Sequence, residues 1–292
     1  MGIRLGANRY GKSESRVVRI VRDTARHEIH DLNVSTWLRG DFEAAHVDGD
    51  QSAVLPTDSQ KNTAFAYAKE HGVDSIEDYA LALGRRLLDA SPAAEGALTR
   101  VEEFVWDRII VGDPGPGPGA PRRGHDHAFV RRGGEVRTTE VDRDRDGVLV
   151  TSGLTDLVVL KSTGSEFRGF LKDDYTTLPE TDDRILATAL TATWHWSGLD
   201  INWNDTYDEV RATLLETFAT THSRALQETL WLMGRAVLEQ QPAITQISFT
   251  APNKHHLLVD LSPFGVANDG EVFIAADRPY GLIEATVTRD PQ

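Results

Sequence analysis

The chain has 292 residues, 40% of them hydrophobic, with 31 basic against 45 acidic side chains and a net charge of −14. That length suits about two domains of ~150 residues each, or one larger repeat, and the acidic balance argues against nucleic acid or an anionic membrane as partner. With no cysteine, disulfides, thiolate nucleophiles, iron–sulfur ligation and the usual structural zinc sites are excluded.

The opening stretch MGIRLGANRYGK lacks the apolar centre of a signal peptide and has Gly6 where a myristoylation site needs Ser or Thr. No run approaches the ~18 apolar residues of a membrane span, so a soluble cytoplasmic protein is expected. RVVRIVR (16–22) and RHEIHDLNVSTWL (26–38) have the alternating or apolar pattern of strands. At PTDSQ, Thr57 reads as a helix N-cap, with Asp58 in the positive first turn and Gln60 completing a capping box. The helix that follows stops at Gly72. A second begins at Ser75 and carries an apolar face through Ile76, Tyr79, Leu83 and Leu87. Strand patterns follow at 100–111 and 126–141.

GDPGPGPGAPRRG (112–124) offers a superficial G-x-G-x-G, but prolines remove the N–H groups a phosphate cradle needs, so an exposed loop is expected. DRDRDG (142–147) opens like a calcium loop. Its twelfth position is Gly153, which brings no carboxylate, so it reads as a hairpin turn closed by Asp146 and Gly147.

The second half repeats the order. GVLVTSGLTDLVVLKS and RILATALTATWHWSG read as strands, NDTYDEVRATLLETFATTH and SRALQETLWLMGRAVLEQ as helices, and ITQISFT, HHLLVDL and EVFIAADRPYGLIEATV as strands again. Each half, 1–141 and 142–292, is thus β-β-α-α-β-β, an α+β pattern suited to an antiparallel sheet with helices on one face. Among the histidines, His125 and His127 could share an ion, but no third ligand is identifiable. Adjacent His255 and His256 point to opposite faces of an extended segment. No metal site is assigned.

Chemistry-bearing residue types gather in four stretches: YGK with Lys12, the Thr57-Asp58 helix start, KSTGSEFRGF to TTLPETDDRIL with Phe167 and Arg184, and RALQ with PNKHH. Together with NRYGKSESRV, RHEIHDLNV, LRGDFEAAH, PTDSQKNTAFAYAKEH, HDHAF, LKSTGSEFRGF, DDYTTLPETDDRILAT, PNKHHLLVDL and AADRPYGLIEATV, the chain resembles the urate oxidase (uricase) family from about residue 8 to 288.

The resemblance implies a tandem of two β-β-α-α-β-β units, the tunnelling fold, assembled as a homotetramer with active sites between subunits. It implies an oxidase that needs neither metal nor flavin and converts urate and O2 to 5-hydroxyisourate and hydrogen peroxide. Carried onto this sequence, it makes Lys12, Thr57 and His255 the catalytic set, with Thr57 and Asp58 lent by a neighbouring subunit. Phe167, Arg184, Leu226, Gln227 and Asn253 would line the urate pocket, with Leu226 standing where the family commonly has valine.

The residue types suit that chemistry. Urate is flat, polar-edged and anionic; a guanidinium and an amide present two-pronged edges that can clamp it from opposite sides, and a phenyl ring offers a stacking face. Burial or a nearby cation would make a neutral Lys12 available to take a proton relayed through Thr57, while Asn253 and His255 could hold O2, peroxide or water over the ring. Taken singly, each residue has an ordinary structural role: Thr57 as a cap, Phe167 as core, Arg184 as an ion-pair partner of the acids in ETDD, Gln227 solvated. Two other readings stay open, a purine-binding module without turnover and a metal-dependent pterin or purine enzyme of the same architecture.

Overall fold

The computed structural model describes residues 2–112 and 122–290. The chain divides into two compact units, Met1–Gly153 and Leu154–Gln292.

The first unit runs β1 (Tyr10–Val21), β2 (Glu28–Gly40), α1 (Glu43–Val47), α2 (Thr57–Glu70), α3 (Ile76–Asp89), β3 (Ala94–Gly112) and β4 (Arg122–Asp144). Its strands lie in the order β1-β2-β3-β4, all antiparallel. Residues paired across such a ladder share a face. The even-numbered side chains Leu32, Val34, Thr36 and Leu38 of β2, none more than 2% exposed, therefore line up with Val101, Thr99 and Ala97 of β3. Helices α2 and α3 cover this face. The apolar stripe expected on α3 is buried throughout, and its Ser75 cap forms, the hydroxyl accepting the Asp78 N–H at 3.0 Å. The Tyr79 hydroxyl then donates to the Ala64 carbonyl at 2.7 Å, tying α3 to α2, and burial pushes its pKa up. Burying one such leucine as Leu83 contributes roughly 1.5–3 kcal/mol.

Two features differ from expectation. β1 begins at Tyr10, so the YGK stretch is strand; Gly11 lies so close to β2 that a Cβ there would come within 1.8 Å of the Thr36 carbonyl oxygen. The capping box at Thr57 does not form. Pro56 occupies the N-cap position, its carbonyl accepting the Gln60 N–H at 3.2 Å, which places Thr57 inside the first turn, where its side chain cannot cap. Gln60 turns inward instead, fully buried, and its Oε1 accepts the Thr36 hydroxyl at 3.0 Å. Of the Pro/Gly-rich run, 113–121 lies outside the described residues, and its ends belong to β3 and β4. The expected turn at 145–147 is present, with Asp144 Oδ1 accepting the N–H groups of Asp146 and Gly147 at 2.9 and 2.7 Å.

Strand β5 (Val148–Lys161) begins before the division and ends after it. The second unit continues with β6 (Leu186–Trp196), α4 (Trp203–Thr220), α5 (Leu226–Gln240), β7 (Ile244–Asn253), β8 (His256–Leu258), β9 (Phe273–Ala275) and β10 (Gly281–Thr288). β6, β7 and β10 form an antiparallel ladder whose buried face carries Ala192 and Trp194 opposite Phe249 and Ile247. Helix α5 packs on it closely at Gly234, where a Cβ would meet Val287 at 2.5 Å. The Lys161 ammonium lies over the Phe218 ring and donates to the Thr221 carbonyl at 2.5 Å, closing the C-terminal end of α4. The single strand expected over 271–287 is two. Between β9 and β10 the chain turns through a segment containing Pro279, which has no N–H for a ladder, and β9 pairs with β8 in a separate two-stranded sheet.

Candidate active site

The expected site residues fall into two sets, one on each unit. In the first, Lys12 pairs with Thr36 across the β1–β2 ladder and so shares the face that α2 covers. A bulge follows at once: the register shifts between Lys12 and Ser15, with Glu14 at φ 58° and its N–H bonded to the Ser35 hydroxyl at 2.9 Å. Thr36 is also the partner of Gln60, so one buried hydrogen bond fastens the first turns of α2 behind Lys12. Asp58 lies exposed in the first turn of α2. Hydrogen bonding from Lys61 and its charge, then the 2.9 Å bond from Asn62, hold its carboxyl below the usual value, and the Lys12 charge adds to the effect. Lys12, Thr57 and Asp58 are therefore neighbours. Half-buried Thr57, whose hydroxyl makes no hydrogen bond among the described residues, borders a cavity of about 530 Å³ lined also by Tyr10, Phe42, His46 and Val54.

The second set is gathered by backbone bonds around the start of α5. Phe167 and Thr181 exchange N–H···O bonds at 2.9 and 3.1 Å, the Arg184 N–H reaches the Ser165 carbonyl at 2.8 Å, and the Glu166 N–H reaches the Ser223 carbonyl at 2.8 Å. Three residues past Ser223, α5 opens at Leu226, and its N-cap Ala225 supplies no side-chain acceptor. The N–H groups of Leu226 and Gln227 are thus left for an outside acceptor, at the positive end of the helix. Leu226 is buried and Gln227 exposed.

Arg184 rests with its guanidinium carbon 5.1 Å from the centre of the Phe167 ring, which itself stacks on Phe170 at 4.9 Å. The ion pair expected with the preceding acids is absent because each is engaged elsewhere. Glu180 pairs with Lys172 at 3.2 Å and Asp182 with Arg168, while Asp183 accepts from the Thr163 hydroxyl at 2.7 Å and the Gly164 N–H at 2.9 Å. Arg184 is left half-buried, with no ion-pair partner among the described residues and its Nε buried and unbonded. Burial lowers its pKa, yet a guanidinium stays charged at neutral pH. An unpaired cation beside an aromatic face is suited to a flat anion.

Asn253 and His255 join this end through β6. Thr188 pairs with Asn253, and the Lys254 N–H donates to the Ala187 carbonyl at 2.9 Å, three residues past Arg184. The His255 carbonyl accepts the Ala276 N–H at 2.9 Å, while His256 belongs to β8 with Nδ1 at 3.3 Å from the Lys254 carbonyl. Elsewhere, the His125 and His127 rings lie 4.5 Å apart with His27 nearby; His125 Nδ1 accepts the His127 N–H at 3.2 Å. Among the described residues no group of three or more His, Cys, Asp or Glu could hold a metal ion, and no helix is long and apolar enough to cross a membrane. Sequence reasoning missed the supporting residues Thr36, Ser165 and Ser223. They are small hydroxyl residues on strand or loop, without a signal of their own.

Comparison with known proteins shows the family. The Uricase family profile matches residues 8–142 and 150–284. A uricase from Arthrobacter globiformis is 49% identical over 286 residues, covering 98% of this chain and 90% of that protein. One from Dictyostelium discoideum is 34% identical, covering 97% and 96%. The crystal structure of the Arthrobacter globiformis uricase aligns with a TM-score of 0.93 at 48% identity, over 100% of this chain and 97% of the other. A Bacillus fastidious uricase structure, 23% identical, shares the fold at a TM-score of 0.82. By its two matched repeats and its near-complete relatives, this chain belongs to the uricase family.

Proposed function

We propose that this chain is a urate oxidase, an oxidoreductase that converts urate, O2 and water to 5-hydroxyisourate and hydrogen peroxide in the cytoplasm. Arg184 and Gln227 clamp the purine from opposite edges, the Phe167 ring stacks on its face, and the N–H groups at the start of α5 donate to its carbonyl oxygens. Lys12 is the base, drawing a proton through the Thr57 hydroxyl to make urate electron-rich. Asn253 and His255 hold O2 or water over the ring and pass protons to the departing peroxide. Neither set is complete alone. In a homotetramer, Thr57 and Asp58 of one subunit, with Lys12 beside them, meet the clamp of another.

The observation that carries the reading is Arg184, a half-buried guanidinium without a carboxylate partner among the described residues, seated beside Phe167 and bonded through Ser165 and Glu166 to the segment that opens α5. Chelator-treated protein mixed with urate in air, beside a Lys12→Ala variant, tests it. Loss of urate absorbance with one peroxide per urate, abolished by the substitution, is the expected result. Urate binding without turnover would leave a purine-binding module, and activity lost with the chelator would replace the base mechanism by a metal-dependent one.

A further inference from the structure

Ser223 is the junction between the two segments that carry the clamp. Its N–H donates to the Gly164 carbonyl at 2.9 Å and its carbonyl accepts the Glu166 N–H at 2.8 Å, joining it to the Phe167–Arg184 segment as a short parallel bridge with Ser165. Its hydroxyl turns the other way, toward α5. Oγ lies 2.6 Å from Thr229 Oγ1, and the two hydroxyls reach the Ala225 carbonyl at 3.1 and 3.2 Å. Ser223 and Thr229 are both 0% exposed. Two hydroxyl protons serve these three contacts, so one hydroxyl donates to the other and the second donates to Ala225.

Ala225 is the extended residue (φ −161°, ψ 156°) from which α5 starts. Its carbonyl also accepts the Thr229 N–H at 3.2 Å. The hydroxyl pair therefore fixes the peptide that orients the N–H groups of Leu226 and Gln227, and it does so from the residue already bonded to the Phe167–Arg184 side.

We infer that the Ser223–Thr229 hydroxyl pair is a positioning device for purine recognition, holding the α5 donors at a set distance from the Arg184–Phe167 face. The inference rests on the clamp proposed above. Neither hydroxyl touches the substrate; each acts through Ala225. A two-sided clamp on a rigid planar ligand loses affinity when one jaw shifts by a fraction of an ångström, whereas a merely structural hydroxyl pair would show its loss in stability.

The test is equilibrium binding of urate without O2, with kcat and KM in air and melting temperature, on three variants. Thr229→Val keeps the shape and removes the hydroxyl; Thr229→Ser keeps the hydroxyl and removes a methyl; Ser223→Ala removes the other hydroxyl. The expected result is a roughly 3- to 10-fold weaker Kd for Thr229→Val and Ser223→Ala, kcat within about twofold of the unsubstituted chain, and rescue of Kd in Thr229→Ser despite its lower melting temperature. Binding that follows melting temperature across the three, or Thr229→Ser binding as weakly as Thr229→Val, would overturn the inference. Gln227→Ala is the control for the underlying clamp. If it leaves Kd unchanged, the clamp itself is wrong and the inference falls with it. If it weakens binding while the hydroxyl variants do not, only the positioning role falls.

Discussion

Replacing Arg137 by methionine is expected to expose the electrostatic weak point of the first unit. Glu77, in the first turn of α3, is 0% exposed; its Oε2 accepts Arg137 Nη2 at 2.7 Å and its Oε1 accepts the Ser152 hydroxyl at 2.7 Å. Arg137 on β4 is itself nearly buried, with Glu103 4.0 Å away as its second acid. Burial raises the Glu77 pKa, opposed by the Arg137 charge and the hydrogen bonds from Ser152 and Arg137. Removing the guanidinium leaves a buried carboxylate with one hydroxyl donor, which costs about 3–5 kcal/mol. At roughly 2–4 °C per kcal/mol for a domain of this size, the melting temperature should fall by about 6–20 °C. The sign with pH follows from the raised pKa. Stability associated with Glu77 is fully present below its unfolded value near 4.5 and is lost as pH rises through the higher folded value. Arg137 opposes that rise, so its removal lifts the Glu77 pKa further; the deficit of Arg137→Met should then be smaller at pH 5 than at pH 8, and Glu77→Gln added to it should restore most of the loss. Thermal unfolding of the unsubstituted chain and the two variants at both pH values, followed by tryptophan fluorescence, is the assay. A deficit below about 1 kcal/mol, or one that neither low pH nor the second substitution reduces, would refute the account.

Gly11→Ala should separate β1 from β2 beside Lys12, because its Cβ would meet the Thr36 carbonyl oxygen at 1.8 Å; about 1–3 kcal/mol of stability and most of the urate turnover should go with it, measured by urea midpoint and peroxide release. Lys161→Met should loosen the end of α4 by about 1–3 kcal/mol, since the Thr221 and Phe218 carbonyls lose their common donor, and hydrogen exchange at 216–223 should rise first. Arg184→Gln should weaken anaerobic urate binding roughly 10- to 150-fold with little change in melting temperature, because Arg184 has no ion pair to lose among the described residues.

The sheets and helices were legible because their periods are local. Leu32, Val34, Thr36 and Leu38 alternate as a half-buried strand must, and Ile76, Tyr79, Leu83 and Leu87 recur at helical spacing; no member of either row is more than 2% exposed. What periodicity could not reach was set by contacts distant in sequence. The start of β1 at Tyr10 depends on Gly11 letting the Thr36 backbone approach, and the break before β10 depends on which strands β9 and β10 find as partners. A glycine beside a lysine or a proline in an apolar run carries no mark of such a partner.

The candidate site residues could be named only through long motifs shared with a family, for individually each had a commoner role. Arg184 shows why. Three acids precede it, and charge counting pairs it with one of them, yet Lys172, Arg168 and the Thr163–Gly164 turn engage all three. Thr57 failed in the opposite sense. T-x-x-Q is a sound capping signal, but Pro56 takes the cap position and Gln60 is drawn to Thr36, leaving the Thr57 hydroxyl without a structural bond among the described residues. A cap would have fixed that hydroxyl on a backbone N–H and made it a poor relay. Uncommitted, at a helix start beside Lys12, it is available for the proton transfer proposed for it, and the misread cap thereby supports the chemical role over the structural one.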